Sequence, residues 1–254
     1  MDTKKLRDRV YDYGLALYIV AAIVMLIIPL SDWVLDILLA FDMSLSFVIM
    51  FTAMFAADVL DMSFFPTILL FTTIFRIALN VSSTRLILTE GGAGKVIEVF
   101  GSFVGGGDLI VGAIVYVILI IVQLMVINKG SERVAEVSAR FTLDAMPGKQ
   151  MAIDADLNTG AITDVEAKER RQKIQDEASF FGAMDGATKY VKGDATAGLI
   201  ITAVNLLGGI AMGILRKGMD VNTAINTYSI LTMGDGLVSS IPSLMISMST
   251  GILV

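Results

Sequence analysis

Eight ionisable side chains interrupt otherwise apolar runs: Asp36, Asp42, Asp58, Asp61, Arg76, Arg85, Asp194 and Asp235. The chain has 0 His and 0 Cys, so thiolate metal sites, disulfides and imidazole proton shuttles are excluded. Proton chemistry is left to carboxylates, lysines and water. An ionisable group inside a membrane span costs on the order of 3 kcal/mol at mid-bilayer. Each such group must therefore face a protein interior or water, and each marks a candidate ion path.

The run from Thr72 to Arg85 carries the densest pattern. Thr72, Arg76, Asn80, Ser83 and Thr84 recur every three or four residues, which places them on one helical stripe. Such a stripe lines a helix interface or an aqueous cavity. Arg76 is too deep to reach the headgroups and predicts a partner among the span carboxylates, whereas Arg85, half a turn out of phase, is expected to snorkel. Asp42 shares the second span with Asp36. Asp194, in "VKGDATAGLIITAV", reads both as a helix N-cap and as a proton-accepting carboxylate at the membrane entrance, two roles that coexist in one residue. Asp235, in "MGDGLVSSIPS", has the same two readings, with Pro242 expected to kink the helix that follows.

Enzyme motifs fail on inspection. Lys95 and Lys149 follow glycines, but Thr89 and Leu143 stand where a phosphate loop needs its first glycine, and Val96 and Gln150 where it needs Ser or Thr. There is no Gly-x-Ser-x-Gly or His-Glu motif. The expectation is a protein without covalent catalysis.

These residues must be carried by membrane helices. Of 254 residues 55% are hydrophobic, above the roughly 45 to 50% of soluble domains, and mean hydropathy is +0.76. A net charge of −6 lacks the clustered basic excess of a nucleic-acid binder. A spanning helix needs about 20 apolar residues, and six runs approach this: 13–30, 33–57, 64–81 or beyond, 109–127, 195–215 and 237–254. Their continuity excludes the alternating pattern of a membrane barrel. The reading is an all-α polytopic membrane protein with about six transmembrane helices, and no nucleic-acid partner.

Lys4, Lys5, Arg7 and Arg9 precede the first run, which places the N-terminus in the cytoplasm. Four spans then return the chain to the cytoplasm, giving three parts: 1–127 with four spans, 128–193 as a small cytoplasmic domain between the fourth and fifth spans, and 194–254 with the last two. The sixth run stops without a polar flank, as in a chain cut from a longer one. Within 128–193, Thr163 and Glu166 form a capping box for a helix with pairs Glu166–Arg170 and Glu169–Lys173 and an apolar stripe of Ile174, Ala178 and Phe181. Gly105, Gly106 and Gly107 read as flexible punctuation before Asp108, an N-cap. Gly209 and Gly213, alongside Gly208, form a close-packing surface.

"RVAEVSARFTLDAMPGKQM", Arg133 to Met151, resembles the signature of the FHIPEP family, the export-gate proteins of bacterial type III secretion in flagella and injectisomes. The likeness continues through "AIDADLNTG", "EAKERR", "GAMDGATKYVKGDATAGLI", "YSILTMGDGLVSSIPSL" and "FRIALNVSSTRLIL", and so covers nearly the whole chain. It implies a multi-pass protein of the bacterial inner membrane that forms a homo-nonameric ring with other export-gate subunits. It also implies no cofactor beyond a coupling ion, proton or sodium, and passage of unfolded substrates driven by the proton motive force. Members meet the cytoplasmic ATPase complex and substrate–chaperone complexes mainly through a large C-terminal domain, and this chain stops short of it.

Carried over by position, the resemblance implies loop-domain and intersubunit contacts at Arg133, Arg140, Asp144 and Lys189. Asp194 and Asp235 are the coupling carboxylates it points to, beside the intramembrane pair Asp42 and Arg76. "RIALNVSSTRLIL", with Asn80, and "AGKVIEVFG" lean toward the flagellar branch. Two other classes remain in view: an ion-coupled transporter of a small solute, which would show internal repeats that are not found here, and a purely structural ring scaffold.

Overall fold

The computed structural model describes residues 3–105 and 108–254, and the side chains of these outside 3–12, 15 and 126–128. Every element is helical. The order is α1 Thr3–Ile27, α2 Asp32–Phe55, a 3-10 turn Val59–Met62, α3 Phe65–Glu90, α4 Gly94–Gly105, α5 Leu109–Val122, a π-helical segment Gln123–Asn128, α6 Lys129–Asn158, α7 Asp164–Leu215 and α8 Val221–Leu253.

Five helical stretches among the described residues are long and apolar enough to cross a bilayer: Asp32–Phe55, Val59–Glu90, Leu109–Asn158, Asp164–Leu215 and Val221–Leu253. A shorter apolar stretch, Ala16–Ile27, stands where the first of the six expected spans was placed. The side chains of Lys4, Lys5, Arg7 and Arg9 lie outside the described residues, as do Gly106 and Gly107 of the glycine punctuation.

Local chemistry sets where these helices start and stop. Thr163 and Glu166 form the expected capping box, with the Thr163 N–H donating to Glu166 Oε2 at 2.8 Å and the Glu166 N–H to Thr163 Oγ1 at 3.3 Å. Asp108 accepts from the Ile110 and Val111 N–H groups at 2.9 and 3.4 Å, as an N-cap should. At the other ends Gly91, Gly160 and Gly218 adopt positive φ, the conformation that closes a helix most readily on glycine.

Two expectations are corrected by these boundaries. Asp194 lies in the interior of α7 and Asp235 in the interior of α8, so neither caps a helix. The caps are Thr163 and, for α8, Asp220, whose Oδ2 accepts from the Asn222 and Thr223 N–H groups. Residues 164–193 and 221–236 are polar enough to escape a hydropathy reading yet continue the helical hydrogen bonding.

Contacts divide the chain into two compact units. The first comprises Met1–Met43, Ile74–Ile118 and Thr196–Ser240, the second Ser44–Thr73, Leu119–Ala195 and Ile241–Val254. The first is built on Leu35, Leu79, Ile87, Ile97 and Tyr228, all with 0% exposure. The expected close-packing surface at Gly209 and Gly213 belongs to it: the ring of Tyr228 occupies the space a Cβ at either position would fill.

The second unit is built on Phe65, Leu69, Phe180, Phe181, Met184 and Ile246. A separate cluster of Ile153, Ile162, Ala167 and Ile174 closes the turn between α6 and α7, each large side chain contributing about 2 kcal/mol by burial. The ion pairs differ from the expected i,i+4 set. Arg170 pairs with Asp156 at 3.4 Å and Lys173 with Asp58 at 3.0 Å. Asp156 lies near the end of α6 and Asp58 caps the Val59–Met62 turn, so both cations find partners outside their own helix.

Candidate functional site

The first unit holds a buried polar cluster at the meeting of α3, α7 and α8. Asn80 and Ser83 come from the α3 stripe, Asn205 from α7, and Asp235 and Ser239 from α8. Asp235 is 4% exposed and Asn205 0%. The Asn205 amide donates to Asp235 Oδ2 at 2.9 Å, and the Ser83 hydroxyl, which donates to the Asn80 carbonyl at 3.0 Å, lies beside the carboxylate. One turn along α8, the Ser239 hydroxyl lies 2.7 Å from Asn80 Oδ1 and 2.9 Å from the Asp235 carbonyl oxygen, acceptors between which its single proton must choose. The acceptor oxygen of Asn205 and the hydroxyls of Thr84 and Thr232 have no hydrogen-bond partner. A buried carboxylate held by the Asn205 amide can bind and release a proton, and its oxygens are the ligand type for a hard monovalent cation.

The α3 stripe is therefore a helix interface, one of the two alternatives its spacing allowed. Arg76, on the same stripe, is the largest fully buried side chain, 1% exposed, and Asp42 is 3% exposed; both fall in the first unit, and neither is without a partner. Arg85 donates to the Ile27 and Leu26 carbonyls at 2.6 and 3.0 Å, satisfying acceptors that the end of α1 leaves open.

Asp36 acts as a remote cap. Its Oδ2 and Oδ1 accept from the Lys95 and Val96 N–H groups, both at 3.0 Å, holding the N-terminus of α4, a helix with no counterpart among the expected spans. Gly94, the first residue of α4, has φ +79°, with the Asp36 carboxylate where its Cβ would be.

In the second unit Asp194 is 4% exposed and has a partner. A small cavity is lined by Ser131, Glu132, Thr188, Val191, Lys192, Ser247 and Thr250, with Lys192 paired to Glu132 at 2.8 Å. Of the loop residues, Arg133 pairs with its helical neighbour Glu136 at 3.6 Å, and Lys189 with Asp185 at 2.7 Å. Arg140 and Asp144 are exposed. Among the described residues no group of three or more His, Cys, Asp or Glu could hold a metal ion.

Sequence reasoning identified Asp235, Asn80 and Ser83 but missed Asn205 and Ser239. A signal existed for both: Asn205 is a lone amide in the apolar run "ITAVNLLGG", and Ser239 follows Asp235 by four residues, one helical turn.

Helices of membrane-spanning length, carrying buried carboxylates with hydrogen-bonding partners, define a polytopic all-α membrane protein. A family model described as FHIPEP matches residues 22–254, and the chain belongs to the FHIPEP family.

The "Flagellar biosynthesis protein FlhA" of Bacillus subtilis is 54% identical over 243 residues, 96% of this chain and 36% of that protein. The protein of the same name from Caulobacter vibrioides is 55% identical over 248 residues, 96% of this chain and 35% of its own length. The "Low calcium response locus protein D" of Yersinia pestis is 53% identical over 243 residues, 96% and 34% respectively. The chain thus spans about a third of the length of these curated relatives. No solved structure matches it.

Proposed function

We propose that this chain is the membrane part of an export gate of a bacterial type III protein secretion apparatus, in the inner membrane with a cytoplasmic N-terminus, and that it couples the proton motive force to passage of unfolded substrate proteins. The observation that carries the coupling role is the Asp235 carboxylate, buried among α3, α7 and α8 and held by Asn205 at 2.9 Å. Family membership supports the apparatus. The flagellar branch is the favoured setting, on the motif around Asn80 and on the printed names of two relatives; the similar identity to the Yersinia protein leaves the branch to experiment.

The physical basis of coupling is the charge on Asp235. An N–H donor to a carboxylate is worth about twice one to a neutral acceptor. Protonation, or a bound sodium ion competing for the same oxygens, weakens the Asn205 bond and with it the tie between α7 and α8. Asp194, buried in α7 within the second unit, is a second candidate coupling carboxylate, and Asp42 and Arg76 are further buried ionisable groups of the first. Arg140 and Asp144, with Arg133 and Lys189, lie open on the second unit, where a neighbouring subunit of a ring, the proposed nonamer, or another export-gate subunit would meet them. The ATPase complex and substrate–chaperone complexes are expected to engage the longer protein outside this segment.

The test uses the full-length protein in its own cell. Asp235→Asn and Asp194→Asn are expected to insert and assemble at normal level while secretion is lost. Normal secretion by either variant removes that residue from the mechanism. Ion flux through liposomes containing the protein, lost on neutralising Asp235, Asp194 or Asp42, would exclude a passive scaffold; uptake of a small solute without an export defect in a deletion strain would favour a transporter.

A further inference from the structure

Asp235 stands in a Gly-Asp-Gly triplet of α8, and neighbouring helices claim the space beside both glycines. A Cβ on Gly234 would lie 2.9 Å from the Gly101 nitrogen and 2.9 Å from the Ile97 carbonyl carbon, both of α4. A Cβ on Gly236 would lie 2.6 Å from Tyr116 Cζ and 3.0 Å from its Cε2, and closer still to its hydroxyl. Two residues along a helix turn the backbone through about 200°, so α4 and Tyr116 of α5 grip α8 on nearly opposite sides. The Asp235 side chain leaves between them, toward Asn205 and Ser83.

Tyr116 is 6% exposed, and its hydroxyl lies 3.3 Å from Thr202 Oγ1 of α7. Thr202 donates its own proton to the Gly198 carbonyl at 2.9 Å, so the phenol is the donor to Thr202. Thr202 is three residues before Asn205 on α7, and Gly236 adjoins Asp235 on α8. One phenol therefore touches both helices beside the point where Asn205 and Asp235 meet.

We propose that Tyr116 is a positioning residue for Asp235: its ring and hydroxyl, seated between Thr202 and Gly236, fix the separation of α7 and α8 and the rotation of α8, and so the direction in which the carboxylate meets Asn205. Only the secretion arm of the test rests on the coupling role assigned to Asp235.

The readout is the carbonyl stretching band of protonated Asp235 in infrared difference spectra of the reconstituted full-length protein, assigned by its absence in Asp235→Asn. Its frequency reports the hydrogen bonds on that carboxyl. Tyr116→Phe, which removes only the hydroxyl, is expected to shift the band at normal protein level. Gly236→Ala is expected to shift it further and to lower secretion on the order of tenfold, the usual scale of a forced overlap. Adding Tyr116→Leu to Gly236→Ala is expected to restore most of both. An unmoved band in Tyr116→Phe, or a double variant no better than Gly236→Ala alone, overturns the proposal. If Gly236→Ala does not insert, the Tyr116→Phe band decides. If Asp235→Asn secretes normally, the coupling role falls while the band still tests the positioning.

Discussion

Asn205 of α7 donates its side-chain amide to the carboxylate of Asp235 of α8 across 2.9 Å, with both residues removed from solvent. The contact joins a lone amide in an apolar run to a carboxylate between two glycines. Each is costly alone in a membrane, and together each satisfies part of the other's need.

Removing the amide should be felt in stability. Asn205→Ala is expected to lower the unfolding free energy by about 1 to 2 kcal/mol, the range for interhelical hydrogen bonds in membranes. Asn205→Asp should cost more, since two carboxylates at this separation cannot both be charged without strong repulsion. Unfolding in mixed detergent and SDS measures both; an Asn205→Ala variant as stable as wild type would show that the bond contributes nothing net.

The remote cap of α4 makes a second prediction. Asp36→Ala leaves the Lys95 and Val96 N–H groups without their acceptor and is expected to cost about 1 kcal/mol, with faster proteolysis at residues 90–95. Gly94→Ala should be worse, because a Cβ at φ +79° meets the Asp36 carboxylate and the left-handed backbone adds about 1 kcal/mol. Limited proteolysis of membranes compares the two; equal cleavage of wild type and both variants would refute the cap.

A third prediction concerns pH. The Leu60 backbone N–H and then the Lys173 ammonium hold the Asp58 carboxyl below its ordinary 3.8. A depressed carboxyl pKa adds stability that is fully present above the ordinary value and is lost as pH falls through the lower folded value. Asp58→Asn should therefore weaken the Lys173 contact at neutral pH, modestly because the pair is exposed. It should also flatten the loss of stability below about pH 4. Thermal melts of the two proteins from pH 3 to 7 should converge at the acid end, and melts that stay parallel would remove Asp58 as a cause.

Exposed charges separate assembly from folding. Arg140→Ala and Asp144→Ala are expected to change stability by no more than about 0.5 kcal/mol, as surface substitutions do, yet to impair secretion by the full-length protein through lost contacts with neighbouring subunits. Crosslinking between copies in the membrane reads the contact directly. Strong destabilisation of the isolated protein would instead assign both residues to the fold of one subunit.

The all-α membrane character was legible in the sequence because spans are continuous apolar runs, and the runs around 33–57, 64–81 and 109–127 coincide with the cores of the observed helices. Thr163, Glu166 and Asp108 were legible as caps because a cap and its N–H partners lie within three residues. Where polar residues continue a helix, the same reasoning stops short: Asp194 and Asp235 read as helix starts, and lie inside α7 and α8. Hydropathy ends where apolar residues end, whereas helical hydrogen bonding continues.

By itself the sequence determined that the chain is an all-α protein with several helices apolar enough to cross a membrane, and the family to which the chain belongs. The tertiary structure alone decided which groups meet. Lys173 pairs with Asp58, 115 residues away, rather than with Glu169 on its own helix; Arg85 donates to the carbonyls at the end of α1; and Asp235 meets Asn205, 30 residues before it. The division has a physical cause. Apolar runs and caps are set by interactions within a few residues, while the register of one helix against another is set by close packing, here by Tyr116 against Gly236, and becomes definite only when the whole set of helices is assembled.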